Sequence, residues 1–376
     1  MFSHYSKELN WWRYSLSEDF SKYVTAEQII QRARQNLSQG PWDYLAGASE
    51  SETTMRRNRL AFDKVAFRPR VLMDVSNVSA STTFIGHEIR IPVLLAPIGS
   101  LQVFIPEGGA AATAAAGEFG TMHVVSSVTQ PSLEEISATT DFGKSYQLYI
   151  HGDWEWTKEM ISRAKAANYK GFCITVDTAS YSRRERPMLS RWTPVSRRNP
   201  VDPKWQASVT WGSIDKIKSE ADLPFMLKGI ATAEDAKIAI EHGVDVIWIS
   251  NHGGRQLDHG QGTMEMLPEI VEAVDGKAEI VLDGGVQRGS DVVKAVAMGA
   301  SAVGIGKMQG WGLAAGGVPG LVRVLEILEE EIKIAMGLMG VTTMDQLNPN
   351  YVCPADLVTM PHEMSSWVNK SIDRLT

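Results

Sequence analysis

A histidine followed by two glycines and an arginine, in Ser250-Asn251-His252-Gly253-Gly254-Arg255-Gln256, sets a base beside an anion clamp. The glycine pair leaves space next to the imidazole, histidine titrates near neutral pH, and a guanidinium grips a carboxylate through two parallel N–H bonds. A lone histidine is more often structural, so this reading leans on its neighbours. Asp177, at the end of the apolar run GFCITVD, could orient the imidazole and stabilise its protonated form. Its alternative is a helix N-cap, since Thr178-Ala179-Ser180 follow. Lys228 ends another apolar run, PFMLKG, where an ammonium needs a negative partner or solvent. It could stabilise negative charge or form a Schiff base, as in barrel aldolases. The glycines of Asp283-Gly284-Gly285 and Gly304-Ile305-Gly306-Lys307 free backbone N–H groups to approach an oxyanion, and the segment GSDVVKAVAMGA offers a helix N-terminus beside them. The plainer reading of these glycines is close packing of helix on strand.

These groups share one position: each ends a short apolar, β-branched run that is followed by a helix-forming stretch. From about residue 90 there are eight such runs, beginning at Ile91, Met122, Ser145, Gly171, Pro224, Asp245, Ala278 and Ser301. Eight βα units predict a (β/α)8 TIM barrel; an open doubly wound sheet is the second reading, but no early strand opens a G-x-G-x-x-G turn. The strands deliver Ala96-Pro97-Ile98-Gly99, Ser126-Ser127, Gln147-Leu148-Tyr149, Thr175-Val176-Asp177, Lys228-Gly229 and Ser250-Asn251-His252 to the end where barrel chemistry occurs, followed by the two glycine-rich ends. Residues 1–89 read as an N-terminal helical cap, 90–330 as the barrel and 331–376 as a C-terminal helical tail of a single domain. The interval from Asp177 to Pro224, with Arg183, Arg184, Arg186, Arg191, Arg197 and Arg198, is too long for one connection and reads as a lid after strand 4.

Composition sets the limits. The chain has 376 residues, 44% hydrophobic and 22% charged, as in globular proteins, and its net charge of -7 argues against nucleic acid. The two cysteines, Cys173 and Cys353, form neither a disulfide framework nor a metal-ligand spacing. The polar, aromatic N-terminus and the lack of a long uninterrupted apolar run predict no membrane association and a cytoplasmic protein.

The motifs SNHGGRQLD, YQLY, TVDT, RRE, LKGI, LDGG and FRPRVL together resemble the FMN-dependent 2-hydroxy-acid oxidase and dehydrogenase family, which includes glycolate oxidase, lactate oxidase, lactate monooxygenase and mandelate dehydrogenase. The resemblance runs from about Thr25 to the end of the barrel. It implies FMN as cofactor and oxidation of a small L-2-hydroxy acid to the 2-keto acid, with electrons passing to O2 or another acceptor. His252 would be the base, Asp177 its carboxylate partner, and Arg255 with Arg184 the ligands of the substrate carboxylate. Tyr149 would meet the oxygen being oxidised and Tyr44 the carboxylate. The flavin would lie on Pro97, Ile98, Gly99, Ser126, Gln147, Thr175, Lys228 and Ser250. Its phosphate would meet Asp283, Gly284, Gly285, Val286, Gln287, Gly306 and Lys307. A symmetric homo-oligomer, a tetramer, is also expected.

The chain departs from the family pattern in three places, the phosphate site, Gly99 and the substrate pocket. Gln287 and Lys307 stand where arginines are usual, so phosphate binding is weakened or Arg288 turns inward. Gly99 replaces the alanine common in oxidases, which leaves monooxygenase-like oxidative decarboxylation or dehydrogenase behaviour open. Val128 admits bulk in the substrate pocket while Tyr181 fills it. The competing readings are a Schiff-base barrel lyase using Lys228 and a repurposed flavoprotein acting on another substrate.

Overall fold

The structure, a computed structural model, describes residues 18–198 and 201–357. Eight parallel strands close into a barrel in chain order: β1 (Val93–Leu95), β2 (His123–Ser126), β3 (Lys144–Leu148), β4 (Gly171–Thr175), β5 (Phe225–Ile230), β6 (Val246–Ile249), β7 (Glu279–Asp283) and β8 (Ala302–Ile305). The strands read as continuous apolar runs because both faces are covered. Their period of two sorts the side chains. Val93, Val125, Tyr146, Phe172, Ile174, Leu227, Ile249 and Val303 face the helices, whereas Leu94, Val124, Cys173, Met226, Val246, Trp248, Val281 and Ala302 fill the barrel interior.

That alternation explains why polar residues end apolar strands. One step of two beyond the inner apolar layer, the same inward face presents Ser126, Thr175, Lys228, Ser250 and Asp283, and Gln147 occupies the matching place on β3. All six are buried. The other mouth is plugged by an antiparallel hairpin, Thr82–Phe84 with His87–Ile89, whose Phe84 and Ile89 join the interior cluster. Its two-residue turn, Ile85-Gly86, has positive φ at both positions, as a type I′ turn requires.

Residues 1–17 of the expected cap lie outside the described residues; among those described it holds three α-helices, α1 (Ala26–Asn36), α2 (Gln39–Ala46) and α3 (Thr53–Asp63), with a Thr25/Gln28 capping box starting α1. It is not wholly helical as expected: it also contains the hairpin and the strand Val65–Phe67. The expected boundary at 330 falls inside the helix Lys307–Met339, so the described part of the tail begins with the end of that helix and continues as two short 3-10 turns and a strand, Val352–Pro354, which pairs with Val65–Phe67. Residues 358–376 of that segment lie outside the described residues. The helix Lys307–Met339 is long and apolar enough to cross a membrane, but 72% of its most apolar window is buried in the protein. It is broken at Gly316 and Gly317, and Asn36 of α1 donates to the carbonyls of Ala314 and Ala315 there, both at 3.0 Å. The lid interval contains a regular crossover helix, Trp211–Ala221, leaving residues 177–198 and 201–210 as the described excursion over the barrel mouth, with short helices at Glu185–Leu189 and Lys204–Ala207.

Candidate active site

After β6 the chain turns through His252, Gly253 and Gly254, all with positive φ (60, 65 and 75°). A left-handed histidine is a strained choice, and such strain concentrates where a side chain must be aimed. The turn is held by Asn251, whose Oδ1 accepts from the Gly254 N–H at 3.0 Å, and by Ser250, whose Oγ accepts from the His252 N–H at 3.0 Å. A Cβ on Gly253 would meet nothing within 4 Å, so the space beside the imidazole is open; one on Gly254 would lie 2.5 Å from the backbone of Met55 in α3. The His252 Nδ1 is 3.0 Å from Asp177 Oδ1. Burial tends to raise the Asp177 pKa, but the charge and hydrogen bond of His252, with Lys228, leave it below the usual carboxylate range. An ionised carboxylate can only accept, so Nδ1–H donates and Nε2 is left as the basic nitrogen. Burial, with Lys228 and Arg184 nearby, outweighs Asp177 and lowers the His252 pKa, keeping the ring neutral and ready to take a proton. The N-cap alternative for Asp177 is not realised: no helix starts until Glu185.

Arg255 points back toward the cap, where Nη1 donates to the carbonyls of Tyr44 (2.6 Å) and Gly47 (2.7 Å) and the guanidinium lies over the Tyr44 ring. The Tyr44 hydroxyl donates to Gly99 O at 2.9 Å. Arg184 is buried, donating from Nε to Arg255 O and from Nη2 to Gln256 Oε1, both at 3.2 Å. Neither arginine has an acidic partner among the described residues. Burial first, then the Arg184 charge, pulls Arg255 down to about 10, still protonated at neutral pH. Two guanidiniums without a counter-ion form a site suited to a carboxylate. Tyr149 sits beside them, its pKa raised by burial and by Asp177, so its hydroxyl remains a neutral donor.

Across the barrel mouth Lys228, Ser250 and Asp283 form a closed network. Lys228 Nζ is 2.8 Å from Ser250 Oγ and 2.9 Å from Asp283 Oδ2; Ser250 Oγ donates to Asp283 Oδ1 at 2.7 Å, and Trp248 Nε1 donates to Asp283 at 3.0 Å. Burial opposes the ammonium charge, but Asp283 and Asp177 outweigh it and the Lys228 pKa is raised. A Schiff-base lysine must present a free neutral amine, and the 2.9 Å ion pair with Asp283 disfavours the lyase reading. On the same inner face, both amide atoms of Gln147 and the Thr175 hydroxyl are buried with no partner. Buried orphans of this kind mark a missing polar ligand. Their mixture of donors and acceptors, beside a fixed ammonium, fits the heteroatom edge of a flavin pyrimidine. Pro97, Ile98, Gly99 and Lys228 line a cavity of about 360 Å³, and Gln147 and Thr175 lie behind its wall rather than in it.

The glycine-rich end is more crowded than the sequence suggests. Gly284 (φ 96°) and Gly285 (φ 88°) press against α3, where Cβ atoms would lie 2.9 Å from Asn58 Nδ2 and 2.7 Å from Asn58 O. The Gln287 and Arg288 N–H groups are occupied by Asp291, at 2.9 and 3.0 Å, and Asp291 is paired with buried Arg59 at 2.6 Å. Val286, Gln287, Gly306 and Lys307 line the cavity, and Lys307 Nζ donates to Ala46 O at 2.6 Å. Arg288 does not turn inward: it pairs with Glu331 at 2.8 Å and is not part of the cavity wall. Ser126 is buried below the wall, its Oγ accepting from the Val128 N–H at 3.4 Å. The sequence reading missed Met55, Asn58 and Arg59, which line this end. With Phe62 they occupy helix positions i, i+3, i+4 and i+7, so an Asn and an Arg on an otherwise apolar stripe were the available signal. It also missed Gln256, whose Nε2 donates to Asp177 O (3.0 Å) and Ser180 O (2.7 Å), joining the lid to the base. Among the described residues no cluster of metal ligands occurs.

The family model described as FMN-dependent dehydrogenase matches residues 33–354. The chain is 38% identical to L-lactate oxidase of Nostoc sp., over 88% of this chain and 98% of that one. It is 34% identical to glycolate oxidase of Spinacia oleracea, over 85% and 93%. The solved structure of a mandelate oxidase superposes with a TM-score of 0.83 at 35% identity, covering 89% of this chain and 99% of that one.

Proposed function

The chain belongs to the FMN-dependent dehydrogenase family, and from that premise we propose that it oxidises small L-2-hydroxy acids to 2-keto acids with His252 as the base. The observation that carries the assignment is a histidine held by an aspartate at 3.0 Å and facing a cavity shared with two arginines that have no acidic partner among the described residues. Arg255 and Arg184 hold the substrate carboxylate, with Tyr44 beside them. Tyr149 and the His252 Nε2 meet the carbinol centre, which fixes the substrate in one orientation. His252 removes a proton from the CH–OH centre, and Asp177 stabilises the imidazolium that results. FMN, when bound, supplies the two-electron acceptor. Gln147, Thr175, Ser250 and the backbone of Pro97 to Gly99 would hold its ring, and Asp283 to Gln287 with Gly306 and Lys307 its phosphate. Lys228, kept charged by Asp283, would stabilise negative charge developing on the ring.

The electrons then pass to O2 or to another acceptor. A Cβ on Gly99 would lie 2.8 Å from Val128 Cγ2, so Val128 already occupies the room that an alanine methyl would take. The proposed compartment is the cytoplasm, supported by two cysteines that remain free thiols. A second copy of the chain is the proposed partner. Leu72, Val71 and Met73 are exposed, as are Leu338 and Ile334, and the Arg70 N–H donates to Met339 O at 3.0 Å, joining the two segments. An apolar patch of this kind is typical of a subunit contact.

The test is an anaerobic screen of L-2-hydroxy acids against the FMN-loaded protein, followed by mixing with O2 and assay of keto acid, peroxide and CO2. Bleaching of the flavin with stoichiometric keto acid supports the assignment. A flavin that no 2-hydroxy acid reduces contradicts it.

A further inference from the structure

The cavity carries more positive charge than one carboxylate cancels. Arg184 and Arg255 already form a clamp for a single carboxylate. A third arginine, Arg197, lines the same cavity from the lid, where its guanidinium lies against the ring of Tyr181, the ring that Arg184 also faces at 4.4 Å. Among the described residues Arg197 has no acidic partner. Asp202 lines the cavity too, but Lys204 engages it through Nζ at 3.0 Å and its own N–H at 3.0 Å. Lys228 is balanced by Asp283, and Asp177 is committed to His252. The third guanidinium is therefore left over after substrate and base are accounted for.

Its placement is built into the fold. Arg197 ends the 3-10 turn Val195–Arg197, and the neighbouring Ser196 N–H donates to Ser100 Oγ at 3.0 Å, tying this turn to the loop after β1. The clamp is anchored at the other side, through Arg255, on the cap carbonyls of Tyr44 and Gly47. The wall also includes Val128 and Ile150, small or aliphatic residues past which a short carbon chain can extend, and His151, stacked on Tyr149.

We infer that Arg197 forms a second anion subsite, and that the preferred substrates are L-2-hydroxy acids carrying a distal carboxylate. The inference rests on the reading above and names the substrate class of the same site. A guanidinium with no acidic partner gives up no ion pair by meeting a substrate anion, and a planar fork is suited to hold a terminal carboxylate.

The experiment compares matched pairs on the FMN-loaded full chain: L-2-hydroxyglutarate against L-2-hydroxyvalerate, and L-malate against L-2-hydroxybutyrate, by anaerobic flavin reduction. The expected result is a dicarboxylate preference of about fivefold or more in rate constant over Kd, the scale of a partly exposed ion pair. In Arg197→Gln that ratio falls toward one, and in Arg197→Lys part of it returns. No preference in the wild type overturns the inference, as does an Arg197→Gln variant that lowers both members of a pair by the same factor. Binding gives an independent reading by perturbation of the flavin spectrum. Glutarate binding more tightly than valerate, with the difference lost in Arg197→Gln, supports the subsite; equal binding overturns it. If no hydroxy acid reduces the flavin while the glutarate difference holds, the oxidation reading fails and the subsite stands.

Discussion

His252 and Asp177 act as one unit, because the same 3.0 Å contact that fixes the imidazole tautomer also offsets part of the burial that depresses its pKa. The sign of the pH dependence follows. A base with a pKa below its ordinary 6.5 works above that pKa and fails as pH falls through it, so flavin reduction should show an acid limb below pH 6.5. Asp177 raises the His252 pKa, so Asp177→Asn should move that limb to lower pH and slow reduction at neutral pH by about 10² or more. A limb that stays in place would show that Asp177 does not set the basicity. Gln147 makes a second residue-level test. Its buried amide has no partner within the protein, so Gln147→Met should stabilise the FMN-free form by about 1–3 kcal/mol while weakening FMN retention. Thermal denaturation of the stripped protein and flavin release from the loaded one separate the two effects. At this scale much was legible: His252, Asp177, Arg255, Arg184 and Lys228 all line or adjoin one cavity. Asn58 and Arg59 were not, because a polar residue on a helix stripe has no visible destination until the element it faces is known.

Strand ends and loops set the second scale. Period-two alternation explains why the sequence exposes the barrel so clearly: eight doubly covered strands read as apolar runs, and their inward faces end in polar residues. The hairpin at Thr82–Ile89 escaped notice because two three-residue strands carry little periodic signal, and its Ile85-Gly86 turn lacks the usual Asn-Gly pair. Likewise, the helix N-terminus expected to receive a phosphate spends the nearby Gln287 and Arg288 amides on Asp291, a contact that sequence spacing does not reveal. The turn after β7 is the element most exposed to substitution. At Gly285, a positive φ coincides with a backbone atom of α3 only 2.7 Å from any Cβ. Gly285→Ala is therefore expected to cost about 1–3 kcal/mol and to shift α3 away from the cavity. A variant with unchanged melting and unchanged FMN retention would show that the turn tolerates the methyl.

Over the whole molecule, the barrel, cap and lid meet at a single mouth, and the ion pair beneath it couples stability to the site. Lys228 and Asp283 are both buried, so Lys228→Met strands a carboxylate and should destabilise the fold by about 3–5 kcal/mol. Lys228→Met with Asp283→Asn should recover part of that loss without restoring FMN function. Chemical denaturation of the two variants checks this. At the same scale, Leu72→Asp with Leu338→Asp should shift the chain toward monomer in analytical ultracentrifugation; an unchanged mass would place any subunit contact elsewhere.

The most direct test of the central claim is a single-turnover measurement on His252→Gln. The FMN-loaded variant is mixed anaerobically with an L-2-hydroxy acid that reduces the wild type, and flavin bleaching is followed beside substrate binding. With His252 as the base, binding persists and the reduction rate falls by about 10² or more. A reduction rate equal to that of the wild type would contradict the account.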